Sequence, residues 1–141
     1  MASDARIVCS VEPALDVDEF RRVLVESGLG ATRPVDDRPR LQAMLSSAGL
    51  VLAARRDEPG RALVGVARGV TDFAWCCYIA ELAVCASAQR LGVGRALLDA
   101  ARQHLGPQVS VVLHSLPDAA AFYERIGMGR VEHAFWVPRQ R

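Results

Sequence analysis

Residues 81–98 read Glu81-Leu-Ala-Val-Cys-Ala-Ser-Ala-Gln-Arg-Leu-Gly-Val-Gly-Arg-Ala-Leu-Leu98. The stretch starts as the end of an apolar strand, turns at a glycine pair and continues as a helix. Gly92 and Gly94 carry no side chain, so a ligand can approach the backbone closely. The N–H groups from Leu91 to Ala96 have no helical partner, and the helix dipole favours an anion in front of them. Arg90 and Arg95 add positive charge. The segment reads as a phosphate or pyrophosphate cradle; the alternative is a plain strand-to-helix turn whose glycines serve packing. No Gly-Lys-Ser/Thr follows, so it is not a Walker loop. A dinucleotide fingerprint needs a third glycine where Leu97 stands, and it usually follows the first strand of a parallel βαβ unit.

Upstream of this segment the pattern alternates between helix and hairpin. Arg6 to Val11 is a short strand. Asp16 or Asp18 caps a helix to about Ser27, with Phe20, Val23 and Leu24 at helical spacing. Gly28-Leu-Gly30 stops it. Arg33 to Arg40 is a polar connector, and a second helix carries Leu41, Met44 and Leu45 on one face. Three strands follow: Leu50 to Arg55, Ala62 to Val70, and Trp75 to Cys85. Their short connections predict antiparallel hairpins. Downstream, Arg95 to Leu105 is a helix closed by Gly106-Pro107. Val109 to His114 is a β-branched strand of the fully buried type. Pro117 begins a helix through Ile126, and Val131 to Val137 is a last strand. The strand–helix–strand unit from Trp75 to His114 implies a parallel pair or a right-handed crossover. The sum is an α/β (α+β) single domain over residues 1–141, with helices on both faces of a mixed, largely antiparallel sheet.

Composition narrows the function classes. The chain has 141 residues, 51% of them apolar, enough for a hydrophobic core. Its 17 basic and 16 acidic side chains leave a net charge of +1, with no overall excess to grip nucleic acid or anionic lipid. The longest nearly apolar stretch, Phe73 to Ala86, is interrupted by Glu81 and falls short of the roughly 20 residues of a spanning helix. The N-terminal Met-Ala-Ser-Asp-Ala-Arg lacks a leader pattern. Cys9, Cys76, Cys77 and Cys85 form no Cys-x-x-Cys pair, and the three histidines have no ligand spacing, so no metal site is expected. Reduced, core-type cysteines point to a cytoplasmic protein.

Three motifs resemble one family. Gln89-Arg-Leu-Gly-Val-Gly94 fits Gln/Arg-x-x-Gly-x-Gly/Ala, Leu82-Ala-Val84 ends the strand before it, and Ala121-Phe-Tyr-Glu-Arg-Ile-Gly127 lies one strand and one helix downstream. Together they resemble the GNAT superfamily of acyl-CoA-dependent N-acyltransferases, most of all its short bacterial members. The element order β-α-α-β-β-β-α-β-α-β is similar to the GNAT fold along nearly the whole chain.

The resemblance implies acetyl-CoA as cosubstrate, lying in a gap between the fourth and fifth strands that a bulge in the fourth splays apart. Leu82, Ala83 and Val84 would pair with the pantetheine, and an N–H near Ala83 would meet the thioester carbonyl. Gln89, Arg90, Leu91, Gly92, Val93, Gly94 and Arg95 would hold the pyrophosphate. Tyr123 matches the tyrosine that protonates the departing thiolate; the alternative is a core aromatic beside Phe122. Many relatives carry asparagine seven residues before that tyrosine. Here Leu116 stands there, and Ser115 is the substitute cofactor contact.

Glu81 is the lone charge in its strand, placed by simple alternation beside Ile79 and Ala83. It is a candidate to take the amine's proton or hold the ammonium; the alternative is a solvated strand face or an ion pair with an arginine. His104, His114 and His133 read as structural. The expected acceptor is an amine-bearing small molecule or peptide, bound by the first two helices, the strand carrying Asp72 and Phe73, and the last strand. The family also offers a homodimer through C-terminal strands. Two competitors remain: a non-catalytic acetyl-CoA sensor that would not need Tyr123, and a phosphate-binding domain for another nucleotide.

Overall fold

Asp16 begins the first helix, its carboxylate accepting the N–H groups of Asp18 (3.1 Å) and Glu19 (3.0 Å). That helix, α1 (Val17–Ser27), ends at Gly28, whose φ of 89° only glycine adopts without strain. A 3₁₀ turn at Leu29–Thr32 leads to α2 (Arg38–Ser47), where Asp37 caps the N–H of Arg40. The computed structural model describes residues 6–140; the leader reading at residues 1–5 and the tail residue Arg141 lie outside them.

The strands are β1 (Ile7–Val11), β2 (Leu50–Arg56), β3 (Leu63–Thr71), β4 (Cys76–Val84) and β5 (Ser110–Leu113). They lie side by side in the order β1-β2-β3-β4-β5. The first four pair antiparallel, β1 to β2 across the two helices and β2 to β3 to β4 through short turns, and β5 joins β4 in parallel. Helix α3 (Val93–Leu105) is the crossover between that parallel pair, and α4 (Ala120–Arg125) follows β5. This is the mixed, GNAT-like α/β architecture that the sequence predicts.

Each face of the sheet has its own apolar layer. Leu50, Leu52, Ala54, Ala67, Cys77 and Ile79 pack against Val93, Leu97, Leu98 and Ala101 of α3. Val51, Ala53, Leu63, Val66 and Ala83 pack against Phe20, Val23 and Leu24 of α1 and Leu41 and Leu45 of α2. Leu50–Ala54 are buried throughout because they feed both layers in turn. Each large side chain so buried contributes about 1.5–3 kcal/mol of transfer free energy.

Four expectations need correction. β5 has exposed and half-buried positions in alternation, not a fully buried run, because it is the last strand of the sheet. The final helix is shorter than Pro117 to Ile126, since Pro117–Ala119 is a 3₁₀ turn and only Ala120–Arg125 is α-helical. Residues 131–137 form no strand: Phe135 is 94% and Val137 93% exposed, with no neighbouring strand to pair with them. Asp72 and Phe73 also lie outside any strand. Asp72 closes the β3–β4 turn by accepting the N–H groups of Ala74, Trp75 and Cys76, which hold its carboxyl below the usual carboxylate range. The expected acceptor wall therefore loses both strand contributions.

Candidate active site

The register between β3 and β4 slips at one place. Arg68 faces Glu81, but the next pair is Gly69 and Ile79, so Ala80 and Glu81 together oppose one residue. This is a β-bulge. It reverses which face the following side chains take. Ile79 belongs to the α3 layer, whereas Ala83 belongs to the α1/α2 layer. Glu81 shares the face of Ala83 but not that of Ile79, which corrects the simple alternation.

Pairing with β5 ends at the same place. Cys76–Ile79 bond to Ser110–Leu113, and the ladder stops there. Leu82, Ala83 and Val84 therefore flank a gap on the β5 side, with β3 on the other side. Strand ladder groups along such an edge can take an extended ligand as a further strand. One of them already has a partner: the Gln89 side-chain amide donates to the Val84 carbonyl at 3.2 Å. Leu82 and Val84 border the α3 layer, as do Phe122 and Tyr123. The gap and the candidate tyrosine thus face one side of the sheet.

At the start of α3 the two glycines have different tasks. Gly92 is the N-cap residue with φ of 77°, and a Cβ there would meet nothing within 4 Å. Arg90 adopts φ of 67° as well, so Arg90 and Gly92 bend the chain into the helix with left-handed backbone. Gly94 sits inside the helix, where a Cβ would lie 3.2 Å from the Phe122 ring. Its bareness lets α4 close onto α3, the packing alternative at that residue. The Ala96 N–H already donates to the Gly92 carbonyl at 2.9 Å, so the open donors at the helix start run only to Arg95. No carboxylate cap stands at Gly92 to compete with an anion. The Arg95 guanidinium lies along the helix 3.9 Å from Asp99. A concavity of about 380 Å³ beside it, lined by Arg95, Arg102, Val111 and Met128, touches neither Leu82–Val84 nor Tyr123.

Tyr123 is half-buried and meets Phe122 edge to face, ring centroids 5.0 Å apart. Burial raises its phenol above the ordinary value, so it stays protonated through neutral pH. Ser115 is half-buried in the loop after β5, and Leu116 beside it is exposed. His104 packs edge-on to Phe73 at 6.0 Å, and His114 meets Trp136 at 5.3 Å.

Glu81 is 3% exposed and is held by two arginines. One carboxylate oxygen accepts from Arg33 Nε (2.9 Å) and Arg68 Nη2 (3.2 Å), and the other from Arg68 Nε. Among the sequence alternatives, this geometry is the ion pair and not a solvated strand face. Arg33 comes from the connector after α1 and Arg68 from β3, and neither stood out in the sequence. The available signal was Arg68, a charge inside an apolar strand one hairpin away from Glu81. Among the described residues no cluster of His, Cys, Asp or Glu could hold a metal ion. No helix of the described chain is long and apolar enough to cross a membrane.

The profile of the Acetyltransferase (GNAT) family matches residues 17–128. No curated protein matches the chain in sequence. Solved structures do. A protein from Deinococcus radiodurans R1, assigned as an acetyltransferase, superposes with a TM-score of 0.76 at 25% identity, over 99% of this chain and 92% of that one. A ribosomal-protein-alanine N-acetyltransferase from Brucella melitensis biovar Abortus 2308 gives 0.72 at 20% identity, over 95% and 99%. The aminoglycoside N-acetyltransferase AAC(6′)-Iy, in complex with CoA, gives 0.72 at 12% identity, over 100% and 99%. The last two likenesses speak to the fold alone.

Proposed function

The chain belongs to the GNAT acetyltransferase family, and from that premise we propose that it moves an acetyl group from acetyl-CoA to a primary amine by direct attack in a ternary complex. The observation that carries this reading is the interrupted ladder: β4 leaves β5 after Ile79, opening an edge at Leu82–Val84 that leads toward the start of α3. In this reading the pantetheine lies along that edge. The pyrophosphate rests on the N–H groups of Leu91–Arg95, framed by the left-handed backbone of Arg90 and Gly92, and Ser115 lies beside the arm.

The chemistry then needs few protein groups. The amine nitrogen adds to the thioester carbonyl carbon, and a backbone N–H near Ala83 holds the oxygen as charge develops on it. Collapse breaks the C–S bond. The Tyr123 phenol supplies the proton to the sulfur and is reprotonated from solvent, which also receives the proton lost by nitrogen. The phenol is protonated at neutral pH, and because burial raises it further, transfer to the thiolate requires the hydroxyl to be held close to the sulfur. Glu81 suits the base role poorly: guanidinium donors occupy both of its oxygens. We assign it to the strand's architecture. The amine acceptor in this reading approaches from the α1/α2 side, and the enzyme acts in the cytoplasm as one catalytic domain.

Calorimetric titration tests the first half of the reading. Micromolar binding of acetyl-CoA, well above any response to ADP, supports it; equal protection by ADP favours a general nucleotide-binding domain. An amine screen by thiol release tests the second half. The exposed Leu116, where many relatives carry asparagine, favours a non-catalytic acetyl-CoA sensor as second reading. Tyr123→Phe separates the two: a loss of turnover with binding intact supports catalysis.

A further inference from the structure

We propose that Arg33 is a positioning residue, whose guanidinium props open the β4 bulge on which acyl-thioester placement depends. The proposal rests on the acetyl-CoA reading above and adds to it a residue outside the gap itself. Its basis is the way Arg33 uses its donors. Nε binds Glu81 at 2.9 Å, Nη2 binds the Ala80 carbonyl at 2.7 Å, and Nη1 binds the Thr32 hydroxyl at 2.9 Å. Ala80 is the extra residue of the bulge, and its carbonyl lies off the regular β3–β4 register. Left without a partner, that half-buried carbonyl would carry a desolvation penalty that favours closing the bulge back into a ladder. Arg33 removes that penalty from outside the sheet.

The second arginine completes the clamp. Arg68 holds both Glu81 oxygens and donates Nη1 to the Met44 carbonyl at the end of α2. Bulge, β3, α2 and the connector after α1 are thereby tied at one carboxylate. Lysine cannot reproduce this, because a single ammonium lacks the planar fork that reaches Glu81 and Ala80 together. The clamp lies at the point where β4 parts from β5, one residue before Leu82. It therefore bears on the pantetheine edge and not on the glycine turn at Gly92.

That division supplies the test. Arg33→Met, Arg33→Lys and wild type are titrated with acetyl-CoA and with 3′-phospho-ADP, the nucleotide end of the same molecule, with thermal unfolding monitored alongside. The expected result is a loss of about tenfold or more in acetyl-CoA affinity for both variants, with 3′-phospho-ADP affinity unchanged within twofold, on the scale of supporting-contact losses at other sites. Equal loss for both ligands, or no loss for either, overturns the proposal, since a merely structural arginine would act so. If Arg33→Met fails to fold, Arg33→Lys carries the comparison alone. Wild-type protein that ignores acetyl-CoA would instead defeat the underlying reading, a result distinct from variant and wild type binding alike.

Discussion

Strand β2 is buried along five successive residues, Leu50–Ala54, whereas β5, four residues long at the far side of the same sheet, alternates between exposed and half-buried positions. Both are rich in β-branched or aliphatic side chains. The difference lies in what covers them. β2 has a strand on each side and a helix layer on each face; β5 has β4 on one side, and the chain beyond α4 adds no strand on the other. Composition states that a segment is apolar. Only the neighbours decide whether that apolarity is buried.

The widest contrast expected between the two regions is in side-chain truncation. Phe20→Ala, in the layer beneath α1, should cost about 3–5 kcal/mol in denaturant unfolding. Phe135→Ala, at the other extreme of exposure, should stay within about 0.5 kcal/mol. A large effect at Phe135 would mean that the C-terminal residues pack in solution. Ending the chain after Arg130 sharpens the point: unfolding free energy should change by less than about 1 kcal/mol, since the described residues beyond it are exposed and the ring contact of Trp136 with His114 is what they lend the packed part.

The glycine turn lies between these regions and gives intermediate effects. Gly92→Ala should cost about 1–2 kcal/mol, the penalty for a left-handed residue. Gly94→Ala gains about 1 kcal/mol of helix propensity but presses on Phe122. Its stability change should therefore turn more favourable by about 0.5–1 kcal/mol in a Phe122→Leu background, measured as a double-mutant cycle. Identical values in both backgrounds would show that α4 does not rest on α3.

A further small effect is electrostatic and belongs to the well-packed region. Arg55 holds Glu12 and Glu19 together, and its hydrogen bonds lower the Glu19 carboxyl. A depressed folded-state value stabilises the protein above the unfolded value of about 4.3. The contribution is lost as pH falls through the lower folded value. Because Glu19 is about one-third exposed, the effect is about 1 kcal/mol or less. Melting points of wild type and Glu19→Gln should differ at pH 6 and converge in acid. A constant gap down to pH 3 would contradict this.

The parts of the fold legible in the sequence were those with a local cause. Asp16, Gly28 and Gly106 mark helix ends through their own hydrogen bonds or dihedrals, and the hairpin strands show in their apolar runs. The seven residues from Val131 read as a strand and form none, because pairing is not a property of one segment. At the site, the glycine turn and Leu82–Val84 were legible as motifs. The bulge was not legible in the residues themselves: Ile79-Ala-Glu81-Leu-Ala83 reads as unbroken alternation, and the slip exists only against β3. The partners of Glu81 were equally hidden, since Arg33 lies 48 residues away along the chain.

One extra residue in β4 also sets the parity of everything after it. Side chains before Ala80 are assigned to the two layers by one rule, and those after it by the opposite rule. Substitution cannot alter that rule; only insertion or deletion can. Straightening the strand with Ala80 retained would send the Glu81 carboxylate into the apolar layer under α3 and turn Leu82 toward α1 and α2, whereas deleting Ala80 would remove the bulge and leave both on their present faces. The strand thus has a reading frame, and its chemistry depends on a frameshift that the protein keeps.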